Sequence, residues 1–188
     1  LAVLATTDGL TGILNRRSFL ERAAEDFKRA VRYNEPFAVL MLDLDHFKAV
    51  NDNHGHQVGD DVLRAVVALC KQNLRDSDSM GRYGGEEFMI CLPHADLDTA
   101  SGVAERLRTD VQSTSITIPD GAISITTSIG VAILRGSDTG VENMIARADT
   151  ALYAAKGQGR NRVVVDPGDP VPQDTPDLFP DAQRGTTL

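Results

Sequence analysis

Apolar positions follow two rhythms along the chain. Between residues 16 and 33, Phe19, Leu20, Ala23, Ala24, Phe27, Ala30 and Val31 recur at helical spacing behind Asn15, a residue suited to capping. After Pro36 a run over 37–44, apolar but for Asp43, predicts a buried strand. A short helix over 46–53 follows, then a longer one over 58–74 with Val62, Leu63, Val66, Val67, Leu69 and Cys70 inward. Gly84-Gly85 predicts a tight hairpin, because two-residue turns need φ > 0 where glycine is unpenalised; its second strand ends near Pro93. Beyond it the pattern predicts a helix over 95–111, strands over 116–118 and 123–134, a helix over 141–155 closed by Gly157 and Gly159, and a last strand over 161–165. Tyr83 and Phe88 read as core anchors.

After the first helix the order is β-α-α-β-β-α-β-α-β, which is neither doubly wound nor a sandwich. It predicts an α+β fold with a central mixed, mainly antiparallel sheet flanked by helices. Residues 1–5 read as the end of an upstream linker helix, 6–166 as one domain, and 167–188 as a flexible Pro/Asp-rich tail, since Pro167, Pro170, Pro172, Pro176 and Pro180 deny it regular structure.

At 188 residues the chain is long enough for one sizeable core, and 41% hydrophobic residues argue against general disorder. No apolar run approaches the roughly 20 residues that span a bilayer. Cys70 and Cys91 lie within apolar patterns and give no sign of a stapled secreted scaffold, so a reducing, cytoplasmic setting is expected. The net charge of −8 argues against general nucleic-acid binding, although half of it falls in the tail after residue 165. The four histidines lack partners at zinc-type spacing.

The candidate chemistry is acidic. Asp43 and Asp45 share one face at the end of the buried strand, and Glu86 and Glu87 follow the glycine turn. If those tips are neighbours, four carboxylates cluster, and hard divalent ions take oxygen ligands of this kind. The bland alternative is a charged hairpin tip. Asp45 reads better as a cap for the helix after it, or as a support behind the metal-binding acids, than as a ligand itself, while Lys48 sits at a helix start, whose backbone N–H groups favour anions.

Gly84-Gly85-Glu86-Glu87-Phe88 resembles the signature of the GGDEF diguanylate cyclases in its GGEEF variant. The resemblance is collinear over roughly residues 6 to 165. It takes in Asp8-Gly9-Leu10-Thr11-Gly12 with Asn15-Arg16-Arg17, Asp43-Leu44-Asp45-His46-Phe47-Lys48, Asn51-Asp52, Gly55 to Asp60, and Lys156 with Gly159-Arg160-Asn161.

The resemblance implies a ferredoxin-like palm related to nucleotidyl cyclases and the condensation of two GTP into cyclic di-GMP with release of two pyrophosphates. It implies two Mg²⁺ per site, replaceable by Mn²⁺, on Asp43, Glu86 and the Leu44 carbonyl. Phe47 and Lys48 backbone N–H groups, with the Lys48, Lys156 and Arg160 side chains, would hold phosphates; Arg82 is a weaker candidate. Asn51 and Asp60 would read guanine, whose edge offers both donors and acceptors. Glu87 would approach the metals or help to take the proton from the attacking 3′-hydroxyl, a role open also to Asp43 or water.

Arg75-Asp76-Ser77-Asp78 stands where the family carries its R-x-x-D inhibitory site, so Arg75 and Asp78 are expected to bind the cyclic product, with Arg106 as a secondary contact from a neighbouring domain. Locally, R-x-x-D is more often a helix-end ion pair. A homodimer follows for catalysis, since one domain carries one GTP site, and an upstream sensory or receiver domain is expected. The rival is a binding module of the same fold that has lost turnover and responds to GTP or cyclic di-GMP.

Overall fold

The structure is a computed structural model that describes residues 5–168. The expectations for residues 1–4 and for the tail from 169 onward lie outside the described residues. The elements are α1 (Arg16–Tyr33), β1 (Phe37–Leu44), α2 (Phe47–His54), α3 (His56–Asn73), β2 (Ser79–Arg82), β3 (Glu87–Pro93), α4 (Leu97–Ser113), β4 (Ile116–Ile118), β5 (Gly121–Ile123), β6 (Thr127–Ile133), α5 (Val141–Gly157) and β7 (Val163–Val165).

Five strands form one sheet in the order β2-β3-β1-β6-β7. Every pairing in it is antiparallel except β6 with β7. The expected mixed, mainly antiparallel sheet with flanking helices is what the chain builds.

The sheet is covered on both faces, which is why β1 is buried throughout and, Asp43 apart, apolar rather than alternating. Ala38, Leu40, Leu42 and Leu44 point into a core shared with α3 and α4, whereas Phe37, Val39 and Met41 point into one shared with α1 and α5. By the same parity Asp43 leaves the sheet on the α5 side. That helix lies close against β6, because Gly130 offers no side chain: a Cβ there would stand 2.0 Å from the Ala148 carbonyl oxygen and 2.4 Å from the Leu152 nitrogen.

Most predicted elements form within a residue or two of their expected ends, and Asn15 caps α1 by accepting from the Ser18 N–H at 2.9 Å. Three expectations change. The strand expected over 123–134 is two pieces, because β1 ends at Leu44 opposite Thr127 and leaves 124–126 without a ladder partner. β5 pairs with β4 in a separate two-stranded sheet.

Secondly, the apolar stripe of α1 does not stay inward to its end, and Val31 is exposed. Thirdly, the β2–β3 connection is not a two-residue turn. Its register pairs Arg82 with Phe88, the Tyr83 and Gly84 N–H groups both donate to the Glu87 carbonyl, and neither Gly84 nor Gly85 has positive φ. A Cβ on Gly84 would lie 2.8 Å from Glu87 Oε2, the movable end of that side chain.

Candidate active site

The antiparallel register brings the acids of two distant segments together. Asp43 lies opposite Glu87, and the Leu44 N–H donates to the Glu86 carbonyl at 3.3 Å. Asp43 is buried, its main-chain carbonyl accepts the Thr127 hydroxyl at 2.8 Å, and its Oδ2 lies 2.9 Å from Lys156 Nζ.

Burial pushes the Asp43 carboxyl above its ordinary range and the neighbouring Asp45 charge adds to this, while the Lys156 ammonium pulls it back. Burial also raises Glu86, helped by the charges of Asp43 and Glu87. Both acids therefore favour a cation beside them.

The four carboxylates are near enough for Asp45 to act on Asp43, and Asp43 and Glu87 on Glu86, without closing on one point. Among the described residues, no three His, Cys, Asp or Glu side chains converge as a ready metal cage. Asp45 is the reason on one side: its carboxylate accepts from the Thr126 hydroxyl at 2.7 Å, the Ser128 hydroxyl at 2.7 Å and the Asn161 N–H at 3.0 Å. It does not cap α2, because His46 intervenes in a left-handed conformation, φ 56°, and turns the chain away.

What remains is an oxygen pair, Asp43 and Glu86, beside the backbone of Leu44. That donor set fits Mg²⁺, which binds through one or two carboxylates plus substrate phosphates rather than in an all-protein cage.

The nucleotide-side residues take up two positions. Asn51 on α2 packs against α3 at Gly59, where a Cβ would sit 1.9 Å from Asn51 Oδ1 and 3.2 Å from Phe47 Cζ; Asp60 follows directly. Phe47 is buried and anchors α2. Lys48 is 88% exposed and pairs with Asp52 at 2.9 Å, which raises its pKa. At the far side of the rim, Arg160 is exposed at φ 65°, just after Lys156 on the last turn of α5.

Arg82 is not a phosphate group. Its guanidinium donates to the Gly84 and Gly85 carbonyls and to Asp8 at 3.0 Å, so it braces the signature loop against the opening motif. Burial of Asp8 opposes its charge, but hydrogen bonds from Thr11 and Arg82 hold its carboxyl below the ordinary range. Phe88 is fully buried as expected, and Tyr83 lies beneath the Arg16 guanidinium, 4.1 Å from its centroid. Cys70 and Cys91 are buried free thiols, with burial raising both, Cys70 to about 12.

The Arg75 corner is separate. The Arg75 N–H donates to Asp78 Oδ2 at 2.8 Å and the Asp78 N–H to the Arg75 carbonyl at 3.0 Å, a local turn in place of the helix-end ion pair. Both residues line a cleft of about 470 Å³ with Arg22, Lys71, Ser79 and Met80. Arg106 donates to Asn73 Oδ1 at 3.0 Å.

The residues missed from the sequence are Thr126 and Ser128. Three consecutive hydroxyls, Thr126-Thr127-Ser128, entering a strand were the available signal.

This geometry belongs to a known family: the model of the diguanylate cyclase GGDEF domain matches residues 5–162, and the chain is a member of that family. It is 40% identical over 163 residues to the response regulator PleD of Caulobacter vibrioides, covering 86% of this chain and 36% of that protein. It is 40% identical over 157 residues to the diguanylate cyclase DgcM of Escherichia coli K12, covering 84% and 37% respectively. The chain thus spans roughly a third of the length of such curated relatives. Among solved structures it resembles the GGDEF domain of DgcB from Caulobacter crescentus in complex with c-di-GMP, at TM-score 0.84 and 33% identity, covering 89% of this chain and 97% of that one. The active GGEEF domain of a diguanylate cyclase from Vibrio cholerae matches at TM-score 0.78 and 34% identity, over 82% and 98%.

Proposed function

We propose that the chain carries a diguanylate cyclase domain, residues 6–166, that condenses two GTP into cyclic di-GMP. The observation that carries this is the meeting of Asp43 and Glu86, both with raised pKa, beside the Lys156 ammonium at the rim of a GGDEF-family sheet. In each half-reaction a ribose 3′-oxygen bonds to the α-phosphorus of the other GTP and the α–β bridging P–O bond breaks. Pyrophosphate leaves with the electron pair, and the hydroxyl proton passes to Glu87, Asp43 or water.

Asp43, Glu86 and the Leu44 carbonyl would hold two Mg²⁺, with Mn²⁺ able to replace them. The ions supply neutralisation of the triphosphate charge and polarisation of its oxygens. Lys156 and Arg160 on one side, and Lys48 with the first N–H groups of α2 on the other, take the β- and γ-phosphates. Asn51 and Asp60, set side by side by the Gly59 contact, read guanine.

Each domain holds one GTP, so the reaction needs a homodimer with two facing sites. The cyclic product binds the cleft at Arg75 and Asp78, with Arg106 beside it, and inhibits turnover. The domain works with a sensory or receiver domain, and the setting is cytoplasmic. In support, the curated relatives are longer, one of them is a response regulator, and no described helix is long and apolar enough to cross a membrane.

The test is turnover by the purified chain fused to a dimerising coiled coil, with Mg²⁺, GTP and ATP offered separately and products identified by mass. Cyclic di-GMP from GTP alone is expected. A forced dimer that binds GTP and yields none would mark a receptor instead.

A further inference from the structure

Asp43 and Asp45 stand two residues apart and both are buried, but the first answers a lysine and the second three uncharged donors. We propose that Asp45 is a positioning residue, whose carboxylate holds the loop 159–161 in the turn that presents Arg160 and Lys156 to the triphosphate. The proposal rests on the cyclase reading given above.

Asp45 is 3% exposed, and a carboxylate buried so deeply needs its charge answered by donors. It has three, from two segments far away in sequence. The Ser128 hydroxyl takes Oδ1, while the Thr126 hydroxyl and the Asn161 N–H share Oδ2. The first two fix the acid to the start of β6. The third uses it as an anchor for the chain that follows α5.

That chain needs an anchor. Gly159, Arg160 and Asn161 have φ of 114°, 65° and 45°, three successive positive values of which two fall on residues with a Cβ. Left-handed backbone is disfavoured for such residues and persists only where surrounding contacts over-determine it. A hydrogen bond from the Asn161 N–H to an ionised acceptor is of the stronger kind. Arg108 Nη1, bonded to Asn161 Oδ1 at 2.9 Å, pins the same residue from α4.

The two acids therefore grip the end of α5 at two points. Asp43 does so through the Lys156 ammonium, a flexible contact that an arriving metal and phosphate can replace. Asp45 does so through a backbone N–H, whose position is set by the chain rather than by a flexible side chain. The second grip keeps its geometry while the first is exchanged.

The variants Asp45→Ala and Asp45→Asn separate this role from mere support of the fold. In Asn, the side-chain oxygen accepts from Thr126 and Asn161, and the Ser128 hydroxyl rotates to accept from the amide. The readout is equilibrium binding of a GTP analogue with a methylene α–β bridge, against GMP, which lacks the distal phosphates, both with Mg²⁺. Asp45→Ala should weaken the analogue about tenfold and leave GMP within about twofold, with Asp45→Asn restoring the analogue to within about threefold.

Equal weakening of both ligands, or of neither, overturns the tether. A wild-type chain that binds the analogue no better than GMP overturns it too, but by removing the phosphate site itself, which separates the two failures. Should Asp45→Ala not fold, hydrogen exchange of the wild-type Asn161 amide decides: protection like that of β6 amides is expected, and exchange at the rate of an open loop overturns the proposal.

Discussion

The rim of Asp43 and Glu86 and the corner of Arg75 and Asp78 differ in how they are built. At the rim, residues from β1, the β2–β3 connection and α5 meet only because the sheet pairs them, with Asp43 buried and Glu86 and Lys156 half-buried. At the corner, contacts run over three residues and the side chains stay largely open to solvent. A site assembled across the fold is preset and sensitive to each member; a site assembled locally leaves its guanidinium for the ligand to order. Chemistry suits the first design and regulation the second.

The largest break in this comparison comes from Glu86→Gln, which keeps the shape and removes one carboxylate. Turnover should fall at least about a hundredfold, since a metal ligand supplies several kcal/mol. Cyclic di-GMP binding to the isolated chain, read by calorimetry, should stay within about twofold. Loss of both together would mean that rim and corner are one unit.

Lys156→Met sharpens the account of the rim. Asp43 loses the partner that holds its raised pKa down, so the acid limb of the pH–rate profile should move to higher pH and turnover at neutral pH should fall about tenfold. The sign for stability is opposite. Asp43 and Glu86 hold their protons to higher pH folded than unfolded, so stability falls as pH rises from the ordinary carboxylate range through their raised values. Melting temperatures across that window should decline in wild type and more steeply in Lys156→Met; an unmoved acid limb would detach Lys156 from Asp43.

Arg75→Ala should have the smallest effect on the reaction itself. Initial turnover stays within about twofold, while the product concentration needed for half-inhibition rises about tenfold or more. Inhibition that survives unchanged would take the corner out of the account.

What could be read in advance follows the same division. β1 was legible because eight consecutive buried positions leave no other interpretation, and Asp43 and Glu86 because acids at strand ends stand out. Of the two roles read for Asp45, cap or support behind the ligands, the cap fails because capping is judged from the next three residues, whereas its partners lie beyond residue 125. The same locality joined β5 to β6: the alternation of Ile123 and Ile125 is real, but the point where β1 stops offering a partner is not written there. The glycine pair was read as a two-residue turn with φ > 0, whereas neither glycine has positive φ and the Tyr83 and Gly84 N–H groups close the loop on the Glu87 carbonyl.

The close approach at Gly130 has a consequence for tolerances. At about 1.5 Å per residue, Lys156 stands some 12 Å along α5 from Ala148, the residue whose carbonyl rests on that glycine. A methyl group at 130 would need about 3.5–4 Å where only 2.0 Å is free, so the helix would have to lift by more than an ångström. A displacement of that size carried along a rigid rod is enough to part an ammonium from a carboxylate. The middle of the sheet is thus the datum surface from which the position of a reactive cation at its edge is gauged.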